Sequence, residues 1–180
     1  MINNAHFEIW NSDIYGLAYD FEVNPSSCGN PEHFKEYLLY SALCDNTECL
    51  ATTHVFIDDD ANRIMGYVTL KASSLFYQSD GKYFGYPALE VVNLAVHKDY
   101  ERRLIGTSLI SYVMAEAYDL NKTCLGVQYI VLSADALAEG FYTKMEFGRF
   151  LEYWNIPIKN EAKNCVPMFL KLTSEDISII

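Results

Sequence analysis

The pattern of apolar and polar positions predicts strands and helices that alternate along the chain. Its centre is the stretch from Leu89 to Val96, which is short, nearly all apolar and rich in β-branched residues, as is typical of a strand buried on both faces. A charged turn from His97 to Arg103 follows, and Leu104 then opens a segment with helical apolar spacing. Because a helix start carries unpaired N–H groups and positive dipole charge, this turn is suited to holding an anion.

Upstream of the central stretch, the pattern predicts mostly strands around one clear helix. The predicted elements are a strand at 5–10, a weak helix at 14–21, a helix from Pro31 to about Leu43, and strands at 50–57 and 63–71. Asn30 is placed to cap the helix, and Pro31 suits its first position. The acidic, turn-rich segment 58–62 separates the last two strands, so they are expected to form a hairpin.

Downstream, helices and strands alternate again. The predicted elements are a helix at 104–119, a strand at 127–133, a helix at 134–144, a strand at 147–154, a polar loop at 155–164 and a strand at 165–172. Residues 72–87 are rich in Ser, Tyr and Gly and match neither period, although Asp80-Gly81 marks a turn. This stretch is left unassigned.

Composition narrows the class of protein. A chain of 180 residues with 51% hydrophobic residues suits a single domain over 1–180. The formal net charge of −11 opposes nucleic acid and anionic membranes as partners and favours a cationic or neutral substrate. The five cysteines form no C-x-x-C pair, the histidines lack metal-ligand spacing, and neither a signal peptide nor a membrane span is visible. A cytoplasmic protein with reduced thiols and no metal is expected.

Specific residues resemble one known family. The family-like segments are Gly66-Tyr67-Val68-Thr69-Leu70, Leu94-Ala95-Val96 continuing to Gly106, and Ala138-Glu139-Gly140-Phe141-Tyr142 with Met145-Glu146-Phe147. Together they are similar to motifs of the GNAT family of N-acetyltransferases. Further upstream, Cys28-Gly29-Asn30 with Phe34, Tyr37-Leu38 and Ala42 resembles a subgroup that includes toxins acetylating aminoacyl-tRNA. The resemblance implies an α/β fold with a mixed, twisted sheet of about six to seven strands flanked by helices.

The resemblance also implies site residues. The acetyl-CoA contacts it implies are Leu94, Ala95, Val96, Arg102, Arg103, Leu104, Ile105, Gly106 and Thr107. Tyr142 matches the family's general acid, which protonates the departing thiolate. Glu90 matches a carboxylate that deprotonates the amine in several members, although a glutamate at the end of a strand is also commonly solvated. Asn93 lies on the opposite strand face from Leu94 and is a candidate for orienting the amine.

Three positions depart from the family pattern. In the phosphate loop, Glu101 occupies the position where the family prefers Gln or Arg, and Leu104 occupies a position where it prefers Gly. The Cβ of Leu104 narrows the space through which a pyrophosphate approaches the backbone. The Glu101 carboxylate repels a pyrophosphate if it points inward. Glu146 replaces a Gly, which argues against a left-handed helix end there.

These observations predict acetyl-CoA-dependent N-acetylation of a primary amine on a small molecule or protein. One alternative is toxin-like acetylation of aminoacyl-tRNA. Another, outside catalysis, is a weakly active module that binds acyl-CoA or a partner protein. Because of the net charge, nucleic acid is expected to be an unlikely partner, and no membrane association is expected. The sequence leaves open whether the chain forms a homodimer.

Overall fold

The computed structural model describes residues 4–150 and 165–172. The strands of this part are β1 (Ala5–Ile9), β2 (Thr52–Asp58), β3 (Arg63–Ser79), β4 (Lys82–Val96), β5 (Tyr129–Asp135), β6 (Gly148–Arg149) and β7 (Cys165–Lys171). Its α-helices are α1 (Pro31–Tyr40), α2 (Ala42–Thr47), α3 (Ile105–Thr123) and α4 (Glu139–Lys144). Short 3₁₀ turns cover Tyr15–Asp20 and Lys98–Tyr100. The predicted α/β class is confirmed.

The seven strands form one mixed sheet in the order β1-β2-β3-β4-β5-β7-β6. The β1–β2, β2–β3, β5–β7 and β6–β7 ladders are antiparallel, whereas β4 and β5 run parallel. The parallel ladder joins Ala88–Val91 of β4 to Tyr129–Leu132 of β5 and ends there. Parallel neighbours need a crossover connection, which α3 provides.

Contacts divide the chain into two compact units, the first comprising residues 1–71 and 92–111. Its core is aromatic, with Trp10, Phe21 and Tyr67 each at most 1% exposed. Tyr67 stacks on Tyr37 at 6.4 Å and donates a 2.9 Å hydrogen bond to the Phe34 carbonyl oxygen. Helix α1 is therefore held on β3 by both apolar packing and a polar anchor.

The second unit comprises residues 72–91 and 112–180. Leu75, Ala88, Val131 and Phe150 form a buried cluster in its described part. Phe169 adds an edge-to-face contact with Phe150 at 5.3 Å. The β5–β7 ladder, which pairs Tyr129–Asp135 with Lys171–Cys165, gives this unit its backbone framework.

Several predicted boundaries are wrong. The helix from Pro31 stops at Tyr40, because Ser41 leaves helical geometry (φ −123°, ψ −41°) and α2 begins after it; Asn30 makes no side-chain cap hydrogen bond. The central strand is not buried on both faces, since Val92 is 40% exposed while Val91 is buried. The unassigned stretch 72–87 belongs to β3 and β4, with the predicted turn at Asp80-Gly81 between them.

Further along the chain, β5 begins and ends two residues later than predicted, and the helix predicted from 134 starts at Glu139. In the strand predicted at 147–154, β6 covers Gly148–Arg149. Positions 151–154 and the loop predicted at 155–164 lie outside the described residues. The single domain over 1–180 stays a prediction. No helix in the described part is long and apolar enough to cross a membrane.

Candidate functional site

A hydrogen-bonded turn connects β4 to α3. The His97 N–H donates to the Met65 carbonyl oxygen at 2.8 Å, and His97 Nδ1 accepts from the Asp99 N–H at 3.1 Å. The imidazole is 1% exposed and packs edge-on against Phe21 and Tyr100. His97 thus serves as the cap of the 3₁₀ turn and fixes where the following loop leaves the sheet.

The loop before α3 contains two residues in the left-handed region, Arg102 (φ 59°) and Leu104 (φ 63°). Leu104 therefore adopts a backbone conformation that favours glycine, and its side chain is 73% exposed. The first helical hydrogen bond runs from the Ser108 N–H to the Leu104 carbonyl oxygen at 2.9 Å. The N–H groups of the preceding residues, 105–107, thus have no acceptor inside the helix, which is the arrangement that binds anions.

The Glu101 carboxylate is engaged by the segment 24–27. One oxygen accepts a 2.6 Å hydrogen bond from Ser27 Oγ, and the other accepts a 3.0 Å bond from Asn24 Nδ2. The predicted repulsion of a pyrophosphate depended on an inward-pointing carboxylate. Instead, these two donors take up charge on Glu101 and tie the segment 24–27 to the loop.

Two basic residues, Arg102 and Arg103, lie in the loop before α3. Arg102 is exposed, and the Arg103 guanidinium lies over the Tyr100 ring at 5.3 Å from its centroid. The Tyr100 hydroxyl donates to Asp58 at 2.9 Å, and this hydrogen bond is the main cause that lowers the pKa of Asp58. Left-handed backbone, open helix N–H groups and two arginines together fit an anionic ligand such as the phosphates of acetyl-CoA.

The central strand places the predicted polar residues on opposite faces. Glu90 is half-buried and accepts a 2.9 Å hydrogen bond from Ser73 Oγ. Asn93 is 7% exposed, and its Oδ1 lies 3.2 Å from His33 Nε2 of α1. Because side chains alternate along a strand, Glu90 shares its face with Leu94, whereas Asn93 faces α1.

Gly66 allows close approach within the first unit. A Cβ added there would lie 2.8 Å from the Ala95 carbonyl oxygen and 3.1 Å from a methyl group of Leu109. Only a glycine avoids both clashes without movement of the backbone of β4. This explains the glycine at the start of the family-like segment 66–70.

Tyr142 lies in α4 of the second unit and is 7% exposed. Its ring contacts Phe141 and Phe147 edge-to-face, with centroids 5.0 and 5.7 Å apart. Burial raises the pKa of Tyr142 above its ordinary value, so the phenol keeps its proton at neutral pH.

The prediction from Glu146 is wrong. Glu146 has φ 68°, and α4 ends in a left-handed Schellman motif. The Phe147 N–H donates to the Tyr142 carbonyl oxygen at 3.1 Å, and the Glu146 N–H donates to the Thr143 carbonyl oxygen at 3.1 Å. The Glu146 side chain is exposed to solvent, so it needs no room in the core. The left-handed backbone conformation of Glu146 nevertheless costs free energy.

The sequence-predicted residues fall into two groups. The first unit brings together residues 94–96, the loop and helix start at 102–107, and Asn93, whereas Glu90 and Tyr142 belong to the second unit. Sequence reasoning missed His33, Ser73 and the Ser27–Glu101 contact, because each joins positions distant in sequence. Within the described residues, no group of three or more His, Cys, Asp and Glu side chains could hold a metal ion.

Solved structures of bacterial toxins resemble this fold along nearly its whole length. A bacterial toxin is 21% identical with a TM-score of 0.71, covering 97% of this chain and 93% of the toxin. AtaT complexed with acetyl-methionyl-tRNAfMet is 16% identical with a TM-score of 0.70, and an AtaT mutant bound to the AtaR C-terminus and acetyl-CoA is 17% identical with a TM-score of 0.67. Each AtaT comparison covers 98% of both chains.

The tRNA-bound relative does not fit the expectation that nucleic acid is an unlikely partner, although identities this low establish the fold alone. Comparison with curated protein sequences gives no match. The family model described as the acetyltransferase (GNAT) domain matches residues 51–149, which is more than half of the chain. The chain therefore belongs to the GNAT family of N-acetyltransferases.

Proposed function

We propose that this acetyltransferase holds acetyl-CoA on the loop and helix start at 102–107 and on the backbone of residues 94–96. The observation that carries the proposal is the pair of left-handed residues, Arg102 and Leu104, directly before the open N–H groups of α3. This geometry supports a phosphate contact through backbone N–H groups, with the arginines adding charge. Acetyl-CoA supplies the acetyl group as a thioester.

In this proposal Tyr142 is the proton donor and Glu90 the proton acceptor. A phenol is protonated at neutral pH at its ordinary pKa, and burial raises the pKa of Tyr142 further, so Tyr142 carries a proton that it can give to the departing thiolate. Glu90 keeps a carboxylate on β4, oriented by Ser73 Oγ, that can take a proton from the attacking amine directly or through water. Asn93 is proposed to contact the amine.

The proposed acceptor is a primary amine of a small molecule or protein, and a cationic one fits the net charge of −11. Charge also limits a nucleic-acid surface, because Arg63, Lys98 and Arg149 already pair with Asp99, Glu22 and Glu139. The proposed compartment is the cytoplasm. Light scattering can test whether the chain forms a homodimer, which the sequence leaves open.

A second candidate acceptor is the amino group of aminoacyl-tRNA. The observation that favours it is the likeness, over 98% of both chains, to AtaT complexed with acetyl-methionyl-tRNAfMet. The two candidates differ in what the protein must bind. A tRNA needs several Lys or Arg contacts to phosphates, whereas a small amine needs only the site itself.

One assay separates the two candidates. Purified protein with acetyl-CoA is given spermidine, an aminoglycoside, a lysine-containing peptide or methionyl-tRNA, and thiol release is followed. Release with an amine or peptide and none with methionyl-tRNA supports the proposal. Release with methionyl-tRNA alone moves the function to the toxin-like candidate, and no release with any of them, together with no binding of coenzyme A by calorimetry, rejects the enzymatic assignment.

A further inference from the structure

The side chains of His33 and Asn93 form a polar pair outside the residues implied by the family motifs. His33 lies in the first turn of α1 and Asn93 on β4, both within the first unit. His33 Nε2 and Asn93 Oδ1 are 3.2 Å apart. Asn93 is 7% exposed, whereas His33 is exposed. The imidazole therefore contacts a buried amide on one side and solvent on the other.

The identity of the Asn93 atom fixes the proton on His33. An amide oxygen only accepts hydrogen bonds, so Nε2 must carry the hydrogen and donate it. The bond therefore persists whether the imidazole is neutral or protonated. It also orients the Asn93 side chain, with the amide oxygen directed towards His33.

Aromatic neighbours hold the imidazole in place. The His33 ring lies 5.5 Å from Phe34 and 6.4 Å from Tyr37, measured between centroids. Burial and the hydrogen bond to Asp45 raise the pKa of Tyr37 to about 12, so the Tyr37 phenol itself is neutral at neutral pH. His33 is consequently restrained by packing as well as by Asn93.

The Asn93 oxygen has capacity for another partner. A carbonyl oxygen has two lone pairs, and His33 is the side chain that bonds Asn93 within the described residues. Asn93 also directly precedes residues 94–96, the proposed acetyl-CoA segment, so a ligand bound here would lie near the acetyl donor.

We propose that His33 is a positioning residue for the acceptor: by donating to Asn93 Oδ1, it fixes the amide so that the second lone pair accepts an N–H of the incoming amine. This inference rests on the proposed function. The pair would recognise a primary amine through its hydrogen atoms. It takes no proton itself, so the proton acceptor for the amine is a separate group.

Steady-state kinetics of three His33 variants test this role. His33→Phe keeps an aromatic ring against Phe34 and Tyr37 but removes the donor, so the KM for the amine should rise by about two- to tenfold, the effect of one lost hydrogen bond. The KM for acetyl-CoA and the melting temperature should not change. His33→Gln keeps an N–H donor and should restore most of the affinity, whereas His33→Leu should not.

Two controls make the result specific. His6→Phe changes an exposed histidine of β1 and should leave all constants unchanged. Asn93→Leu should raise the same KM, and the double variant with His33→Phe should be no worse than Asn93→Leu alone, because the two residues act as one unit.

The outcomes are distinguishable. A KM effect confined to the amine, with rescue by Gln and non-additivity with Asn93→Leu, supports the inference. Transfer activity in every variant with an unchanged amine KM overturns the inference and leaves the proposed function standing. No transfer by the wild-type protein overturns both. In parallel, ¹⁵N NMR of labelled histidine should show the His33 hydrogen on Nε2, and a hydrogen on Nδ1 alone would contradict the proposed bond.

Discussion

At the scale of single residues, the backbone around a side chain matters as much as its type. Glu146 was expected to exclude a left-handed helix end, yet it adopts φ 68°. A non-glycine residue in this region costs roughly 1–2 kcal/mol. The two Schellman hydrogen bonds and the buried Phe147 offset that cost, and neither can be recognised from position 146 alone.

Glu146→Gly should therefore stabilise the protein. The change removes the Cβ penalty at φ 68° without removing a described side-chain contact, and the gain should be about 1 kcal/mol, reduced by the greater freedom of glycine in the unfolded chain. Calorimetry should show a melting temperature higher by about 2–4 °C. Glu146→Ala keeps the Cβ and serves as the control. An equal rise in both variants would mean that the charge, and not the backbone, is responsible.

Tyr142→Phe should lower turnover by roughly ten- to a thousandfold, because it removes the proposed proton donor but keeps the ring. The edge-to-face packing on Phe141 and Phe147 remains, so neither the melting temperature nor the affinity for coenzyme A should change much. Single-turnover kinetics and calorimetry measure the two quantities. Tyr129→Phe, at a half-buried tyrosine of the second unit, is the control. Full activity of the Tyr142 variant would assign this residue to packing alone.

At the scale of secondary-structure elements, the sequence predicts the existence of most elements but not their ends. The strand, turn and helix around Val96 could be predicted because the spacing of the apolar residues changes there from a strand pattern to a helical pattern. The strands in residues 72–87 could not be predicted, because small residues and exposed aromatic residues interrupt the alternation of apolar and polar positions that is typical of a strand. Their signal was the turn: Asp80 (φ 51°) and Gly81 (φ 75°) both occupy left-handed geometry, as in a two-residue hairpin.

Contacts between elements were the least predictable part of the candidate site. The loop residues and Asn93 could be proposed from motifs, because motifs are local. No local motif singles out His33, since its partner Asn93 lies 60 positions away along the chain. Likewise, the Glu101 carboxylate could be interpreted only once the segment 24–27 was placed against it.

Leu104→Gly tests the loop as an element. Leu104 adopts φ 63° with a 73% exposed side chain, so glycine should fit without strain, and it should also let a pyrophosphate approach the backbone more closely. Calorimetric titration should show tighter binding of coenzyme A. Glu146→Gly makes the same backbone change in the second unit and should leave this affinity unchanged. Weaker binding by Leu104→Gly would indicate that the leucine side chain itself contacts the ligand.

At the scale of the whole molecule, charge bears most directly on the choice of acceptor. The chain carries 24 acidic and 13 basic residues. Exposed ion pairs contribute little to stability, but they do neutralise cations that a nucleic acid would need. Arg63 pairs with Asp99 at 3.2 Å, and Lys98 and Arg149 are similarly occupied by Glu22 and Glu139. The remaining acidic excess attracts cationic molecules to the surface.

Ionic strength should therefore distinguish the acceptors. Screening shortens the Debye length from about 30 Å at 0.01 M salt to about 10 Å at 0.1 M, so attraction of a cationic amine weakens and its KM should rise. A neutral amine of similar size is the control, and its KM should stay nearly constant. Methionyl-tRNA should show no measurable binding at physiological salt. If tRNA instead binds tightly, with an affinity that falls steeply with salt, a local basic surface outweighs the net charge and aminoacyl-tRNA becomes the preferred acceptor.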